Sequence, residues 1–346
     1  MPRKTIVNKI TTPEKIQQIN ENNKLLARDF LDYLVSVDRA ASTIRQYKSD
    51  LNIFFVWNME NNSDKDFVKI TKREIARFQS YALNDWKWSP KRMRRVKAAI
   101  SSLSNYIENI LDQEDDFKEF KSIVKKIENP PNESVRKKSI FTEDELQNVL
   151  DKLVENKEYQ QACALALAIS SGRRKAELCR FKVSYFTDEN IIYGAFYKTP
   201  EKIVTKGRGS RGKLLTCYVY IKKFKPYFDL WMEERKRLNF ESDWLLVKKN
   251  GNTYLDEPME ATTLDYYAEL FEKQLDKPFY WHSVRHFFTT YLSINNIPDS
   301  VIQALVGWDS LDMVSVYNDR EVDDLLGAYF DENGIKNIEK GNLNNL

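Results

Sequence analysis

A charged stretch with two prolines at its centre divides this chain and limits the folds open to it. Residues 118–140 are polar and charged, with Pro130-Pro131 in the middle. Neither a helix interior nor a central strand runs through paired prolines. That composition reads as an interdomain linker. At 346 residues the chain is long enough for two domains of roughly 150 residues each. One domain is therefore expected on each side of the stretch.

On the N-terminal side, apolar residues recur at helical spacing. Residues 12–37 are predicted as one helix: Thr12 caps it, Pro13 suits the first helical position, and Leu26, Phe30, Tyr33, Leu34 and Val37 follow the period. Ser42 to Trp57 repeats the pattern with Ile44, Tyr47, Leu51 and Phe54. A third helix is expected from near Thr71, carrying Ile75, Phe78 and Ala82, and a fourth from about Ser89 to Leu111, through Val96, Ile100, Leu103 and Ile107. Together they predict a small all-helical domain over residues 1–117. On the C-terminal side, Thr142-Glu-Asp-Glu145 is a capping box that opens a second domain, expected over 141–333. Gln160 to Ser170 reads as a buried helix. Asn190 to Tyr197 and Leu214 to Ile221 read as strands, with helices after them. Residues 334–346, rich in asparagine and lysine, are expected to be a flexible tail. The fold class predicted is mainly α with a small β-sheet, a helical domain joined to a mixed α/β one.

Several function classes drop out early. No apolar run approaches the ~20 residues of a membrane span. The first residues, Met1-Pro-Arg-Lys, lack the apolar core of a signal peptide. Cys163, Cys179 and Cys217 have neither metal nor disulfide spacing and read as reduced thiols of a cytoplasmic protein. The net charge of +3, from 54 basic and 51 acidic residues, does not by itself mark a nucleic-acid binder. The distribution says more. Lys91, Arg92, Arg94, Arg95 and Lys97 form one basic run and Lys202 to Lys213 another, while acids gather at Asp112 to Asp116 and Asp319 to Asp324.

The chemistry is concentrated at the histidines. The chain has two, both inside His282-Ser-Val-Arg285-His286. An imidazole moves protons near neutral pH and a guanidinium grips phosphate in a planar fork. The i, i+4 histidine pair also fits a metal site, but no glutamate follows His282 and an intervening arginine disfavours a cation. Three further clusters stand out. Ser171-Gly172-Arg173-Arg174-Lys175-Ala176-Glu177-Leu178 follows the buried helix, with Arg174 and Glu177 three apart on one face; it is either a phosphate clamp or a solvated helix start. Lys206-Gly-Arg208-Gly-Ser-Arg211-Gly lies ahead of a predicted strand and offers a mobile lysine or a plain surface turn, with Lys202 and Lys213 as rivals. Gly307-Trp308 precedes Tyr317 by nine residues, and both aromatic residues could equally be core.

In this order the clusters resemble the tyrosine recombinase, or phage integrase, family. Gly172 to Leu178 matches the family's first-arginine motif, with Arg174 on the catalytic arginine and Glu177 on the acidic position. Lys206 matches the hairpin lysine. His282, Arg285 and His286 match the His-x-x-Arg-His box, which Phe287 to Tyr291 continue. Gly307-Trp308 matches the Gly-His pair, and Tyr317 stands at the family's distance from it. Two departures are plain: Arg173 replaces a usual apolar residue, and Trp308 a commoner histidine.

The resemblance implies a helical core-binding domain and a recombinase catalytic domain. It implies a site-specific recombinase that cleaves and rejoins DNA through a 3′-phosphotyrosyl intermediate, without metal, cofactor or ATP. Tyr317 would be the nucleophile and His282 would move its proton. Arg174 and Arg285 would hold the non-bridging oxygens, Lys206 would protonate the leaving 5′-oxygen, and Trp308 would donate to the phosphate. Glu177 and His286 would support them. Lys91, Arg92, Arg94, Arg95, Lys97, Arg208 and Arg211 would contact DNA. The partners implied are double-stranded recombination sites and, on DNA, three further copies in a homotetramer, with a free monomer. Leu325, Leu326, Tyr329 and Phe330 would dock on a neighbouring copy or pack on their own domain. The short segment before the first helices reads as too small for an added arm-site domain. A type IB topoisomerase and a non-cleaving DNA-binding relative are the alternatives.

Overall fold

The computed structural model of the chain describes residues 10–131, 139–205, 212–251 and 253–318, with 330–331 and 334–335. It forms two compact units, the division falling between Lys137 and Lys138.

The first unit is helical: α1 (Pro13–Gln18), α2 (Glu21–Ser36), α3 (Ala41–Asn61), α4 (Lys72–Asn84) and α5 (Pro90–Ile110). The single helix expected over 12–37 is two. Asn20 starts the second by accepting from the Asn23 amide, and its side chain also donates to the Asp64 carbonyl at 2.6 Å. Buried Asn23 then bonds the Lys65 carbonyl and the Phe67 amide. Side-chain capping of this kind ends one helix and begins another where apolar spacing alone runs on. The core is aromatic, with Trp57, Phe54, Phe67 and Phe78 fully enclosed and Phe54 edge-on to Phe78 at 5.1 Å.

The stretch read as a linker from residue 118 begins as part of this unit. Phe120, Ile123 and Val124 are buried in its core. Lys97, expected on DNA, is itself buried. Its ammonium donates to the carbonyls of Ile127 and Glu128 at 2.8 and 2.7 Å and to Gln79. Arg94 donates to the Pro130 carbonyl at 3.0 Å. Two cations of α5 thus satisfy backbone acceptors that a strandless, helix-free segment would otherwise leave open.

The second unit opens with α6 (Glu143–Glu155), α7 (Tyr159–Ser171) and the short α8 (Lys175–Leu178). Strands β1 (Ile191–Ile192), β2 (Phe196–Lys198), β3 (Ile203–Thr205), β4 (Lys213–Leu215) and β5 (Tyr218–Tyr220) follow. Next come α9 (Ile221–Arg237), β6 (Val247–Asn250), β7 (Thr253–Pro258), α10 (Ala261–Leu275), α11 (Trp281–Ile294), α12 (Asp299–Val306) and α13 (Asp312–Tyr317). β8 (Phe330–Asp331) pairs with β9 (Gly334–Ile335), so Phe330 lies in a strand, and the flexible tail expected from 334 begins instead inside a strand pair. Leu325, Leu326, Tyr329 and residues 336–346 lie outside the described residues.

Every residue of α7 from Gln160 to Ser171 is buried, as the alanine-rich pattern predicts. The strand expected over 190–197 is a hairpin that turns at Tyr193 and Gly194, both at positive φ (52° and 66°), the geometry that matches strand twist. The strand expected over 214–221 is two, because the chain changes partner: β4 pairs with β3 and β5 with β2, all antiparallel. Cys217 marks the switch, exchanging hydrogen bonds with Thr199.

Removing the Lys97 ammonium would orphan two backbone carbonyls. Lys97→Ala should lower stability by about 2 kcal/mol, read in urea by tryptophan fluorescence. An unchanged midpoint would show that residues 127–130 hold their place without it.

Candidate active site

The site begins where α7 ends. Gly172 has φ +59°, and a Cβ there would come 2.4 Å from the Phe288 ring. Only glycine lets α11 close onto this turn. Across the closure the Arg285 guanidinium donates to the Gly172 carbonyl at 2.9 Å. The arginine turn and the histidine helix are thereby joined.

Arg174 then caps α8. Glu177 accepts from both its backbone amide (3.2 Å) and its guanidinium (3.1 Å). The carboxylate is buried, and the Arg174 side chain stays about one-third exposed. One end of Arg174 is therefore fixed and the rest is open to a ligand.

On α11, His282, Arg285 and His286 share a face. Tyr317, the last residue of α13, closes it. Its hydroxyl and His282 Nε2 share a hydrogen bond of 2.9 Å. The Tyr317 ring lies 4.5 Å from the His286 ring and 4.8 Å from the Trp308 ring. The Arg285 guanidinium lies 5.0 Å from the centre of the Trp308 ring and 5.5 Å from that of Tyr317. The segment behind is held by Asn318, which donates to Ser293 at 2.9 Å.

Electrostatics mark this cluster as incomplete by itself. Arg285 is 1% exposed. Burial, with Arg174 beside it, pushes its guanidinium down to about 9. Its Nε and Nη2, and the Trp308 indole nitrogen, are buried without a hydrogen-bond partner among the described residues. Buried donors are ordinarily paired, since an unpaired one costs ~1–3 kcal/mol. Three together beside a guanidinium fit an anion with several oxygens.

Residues 139–323 match the phage integrase family. The chain belongs to that family. It is similar to the SPbeta prophage-derived recombinase-like protein YomM of Bacillus subtilis (strain 168), 30% identical over 253 residues, 73% of this chain and 72% of that one. It is also similar to a tyrosine recombinase of Thermosipho africanus (strain TCF52B), 24% identical over 294 residues, 83% and 92% of the two chains. Among solved structures it shares the fold of XerH site-specific recombinase bound to palindromic difH substrate in a post-cleavage complex, with TM-score 0.63, 19% identity, and 83% of this chain and 78% of that one covered. It likewise shares the fold of a lambda integrase tetramer bound to a Holliday junction, with TM-score 0.62, 17% identity, and 90% and 82% covered.

In this tyrosine recombinase the residues anticipated from sequence fall into three groups. Arg174, Glu177, His282, Arg285, His286, Trp308 and Tyr317 come together. Lys206, Arg208 and Arg211 lie outside the described residues, although β3 and β4, which flank them, are paired. Of the rival lysines, Lys213 is paired with Asp309 and Lys202 is exposed. The basic run on α5 divides. Lys97 and Arg94 turn to carbonyls of their own unit, and Arg95 grips fully buried Asp50 through both oxygens at 2.8 and 3.2 Å. Lys91 is exposed, and Arg92 lies over the Trp88 indole at 4.1 Å. What sequence reasoning missed is Arg173. It is buried and donates to the Leu305 carbonyl at 2.5 Å; its signal was an arginine at a position where an apolar residue is usual.

A buried cation with two unpaired nitrogens is costly to the fold unless an anion pairs with it. Arg285→Met, similar in volume, removes the buried charge but leaves the Gly172 carbonyl without its donor, so it should lower stability by no more than about 1–3 kcal/mol. A loss beyond about 3 kcal/mol would show a structural role instead. Orthovanadate at about ten times its Kd should raise the wild-type melting temperature by about 2–4 °C and leave that of Arg285→Met unmoved.

Proposed function

We propose that this family member is a site-specific DNA recombinase that breaks and rejoins strands through Tyr317, without metal or ATP. The observation that carries the reading is the Tyr317–His282 hydrogen bond of 2.9 Å beside unpaired donors of Arg285 and Trp308. A nucleophile needs an adjacent base, and the phosphate it attacks needs its charge balanced.

His282 takes the phenolic proton as Tyr317 Oη attacks phosphorus. The bond to the 5′-oxygen breaks, and that oxygen leaves with a proton from Lys206. Arg174, Arg285 and Trp308 hold the non-bridging oxygens throughout, doing electrostatically what a magnesium ion does elsewhere. Glu177 keeps Arg174 in place and His286 packs on the tyrosine ring. The 3′-phosphotyrosyl bond conserves the energy of the broken one. A 5′-hydroxyl from another strand then reverses the step and releases Tyr317.

Duplex DNA is the substrate, and a homotetramer assembled from monomers on paired sites exchanges the strands. The solved fold relatives support this: one is bound to difH DNA after cleavage and another is a tetramer on a Holliday junction. Of the basic run on α5, Lys91 and Arg92 would contact phosphate, a reading supported by the intramolecular partners of Arg94, Arg95 and Lys97; Arg208 and Arg211 would add contacts from the second domain. The protein acts in the cytoplasm, a reading supported by three buried free thiols and by the lack, among the described residues, of a helix long and apolar enough to cross a membrane.

The test is covalent capture. Wild-type protein incubated with a pool of nicked duplexes of random sequence should give a detergent-resistant protein–DNA adduct, and sequencing the captured DNA gives the site. Tyr317→Phe should give none; an adduct surviving in that variant removes Tyr317 as nucleophile. Relaxation of supercoiled plasmid by monomers, without strand exchange, would make the protein a topoisomerase. Lys206→Ala should slow cleavage at least ~100-fold, the usual worth of a general acid. A duplex with sulfur at the leaving 5′ position should recover most of that loss, because a thiolate leaves without a proton.

A further inference from the structure

Arg173 takes no part in this chemistry, and packing does not explain it. It leaves α7 between Gly172 and Arg174 and is 1% exposed. Its Nη2 donates to the Leu305 carbonyl at 2.5 Å. Its Nε and Nη1 are buried without a hydrogen-bond partner among the described residues. A methionine, similar in volume, would fill that space with no charge to desolvate.

What Arg173 grips is informative. Leu305 lies in the last turn of α12, where carbonyls lack helical partners and a cation has the favourable sign. Gly307 follows at φ +74°; a Cβ on it would come 2.5 Å from Leu215 of β4 and 3.6 Å from Arg173 Nη1. The end of α12 is therefore wedged between Arg173 and the β3–β4 hairpin. Trp308 is next. Its amide donates to the Gln303 carbonyl at 3.0 Å, and Gln303 donates back to its carbonyl at 3.2 Å. With its backbone closed onto α12, the point from which the Trp308 ring projects follows that helix end. The same ring lies against Arg285 and Tyr317.

We propose that Arg173 is a positioning residue of this recombinase. By holding the last turn of α12 it sets the Trp308 indole against Arg285 and Tyr317, so that the arginine turn and the nucleophile-bearing segment keep one register. The catalytic half of this statement rests on the function proposed above; the positional half does not.

The two halves are tested separately in the full chain. Labelling with 5-fluorotryptophan gives one fluorine resonance for each of seven tryptophans, and Trp308→Phe assigns that of Trp308. Arg173→Leu should shift the Trp308 resonance and leave Trp231, Trp244 and Trp281 in place. Arg173→Gln, which keeps a shorter donor, should shift it less and serves if the leucine variant does not fold. An unmoved Trp308 resonance in the folded variants overturns the proposal, and so do equal shifts at the other three, which would mark general loosening.

On the nicked duplex captured with wild-type protein, Arg173→Leu should slow adduct formation at saturating DNA by ~10-fold, a usual size for coupled neighbours. DNA affinity should be unchanged. In a Trp308→Phe background the same substitution should cost less than about twofold. A full effect in that background also overturns the proposal. If wild-type protein forms no adduct on any duplex, the recombinase reading fails, and the fluorine resonances still decide the placement of Trp308.

Discussion

The hydrogen bond from Arg285 to the Gly172 carbonyl organises the second unit's chemistry. It spans 113 residues of sequence and ties the end of a helix buried from Gln160 to Ser171 to the helix that carries both histidines. It exists only because position 172 has no side chain: Phe288, one turn beyond Arg285, occupies the space a Cβ would need. From that junction the rest follows by direct contact. Arg174 and Glu177 continue from Gly172. His282 and His286 flank Arg285 on α11. Trp308 and Tyr317 pack over its guanidinium. Loosening the junction would separate the two arginines before it touched the tyrosine.

The same junction fixes the electrostatic character of the site. Arg285 has one protein acceptor and is otherwise enclosed; burial first, and the neighbouring Arg174 second, press its guanidinium down to about 9. Three guanidiniums, those of Arg173, Arg174 and Arg285, act on one another with the single buried carboxylate of Glu177 to offset them, which leaves a local excess of positive charge. Such a cluster is costly without a counter-ion and favourable with one. Under the function proposed above, a dianionic, developing phosphorane would supply that counter-charge. His282 faces the open side: it is exposed while Tyr317, its hydrogen-bond partner, is buried. The hydrogen bond between them therefore runs from the enclosed side of the cluster to its open side.

Much of this was legible in sequence, for reasons that also mark where legibility ended. The capping box at Thr142 and the alanine-rich α7 are local signals, and local signals carried through. The single helix expected over 12–37 failed because apolar spacing continues across Asn20, whose side chain caps a new helix on the Asn23 amide and is anchored by a bond to Asp64, 44 residues away. The linker reading averaged over composition and so hid Phe120, Ile123 and Val124, which reach the core without forming a helix. The basic run on α5 was read by charge when it should have been read by phase. Met93, Lys97, Ile100 and Ser104 follow the helical period and all are buried. Lys97 belongs to that inward stripe, while Lys91 and Arg92 precede it at the exposed start. Identity of residue type concealed a difference of face.

Trp308 shows how a departure from the family's usual residue can follow from the field around it. A histidine there could donate a hydrogen bond and, when protonated, add a charge. That charge would sit about 5 Å from the Arg285 guanidinium, a repulsion of roughly 3 kcal/mol at an effective dielectric constant of 20. Burial would add to the penalty and hold the imidazole neutral. In this surround the ionised form is of little use, and what remains of the histidine is one N–H. Indole supplies that donor permanently and offers Arg285 a π face, worth ~2 kcal/mol when desolvated. It also fills the volume behind Tyr317, which a smaller ring would leave open to water. The exchange gives up a titratable group and gains a firmer seat for the arginine. Under the function proposed above, proton movement would then fall to residues that face the opening, His282 first among them.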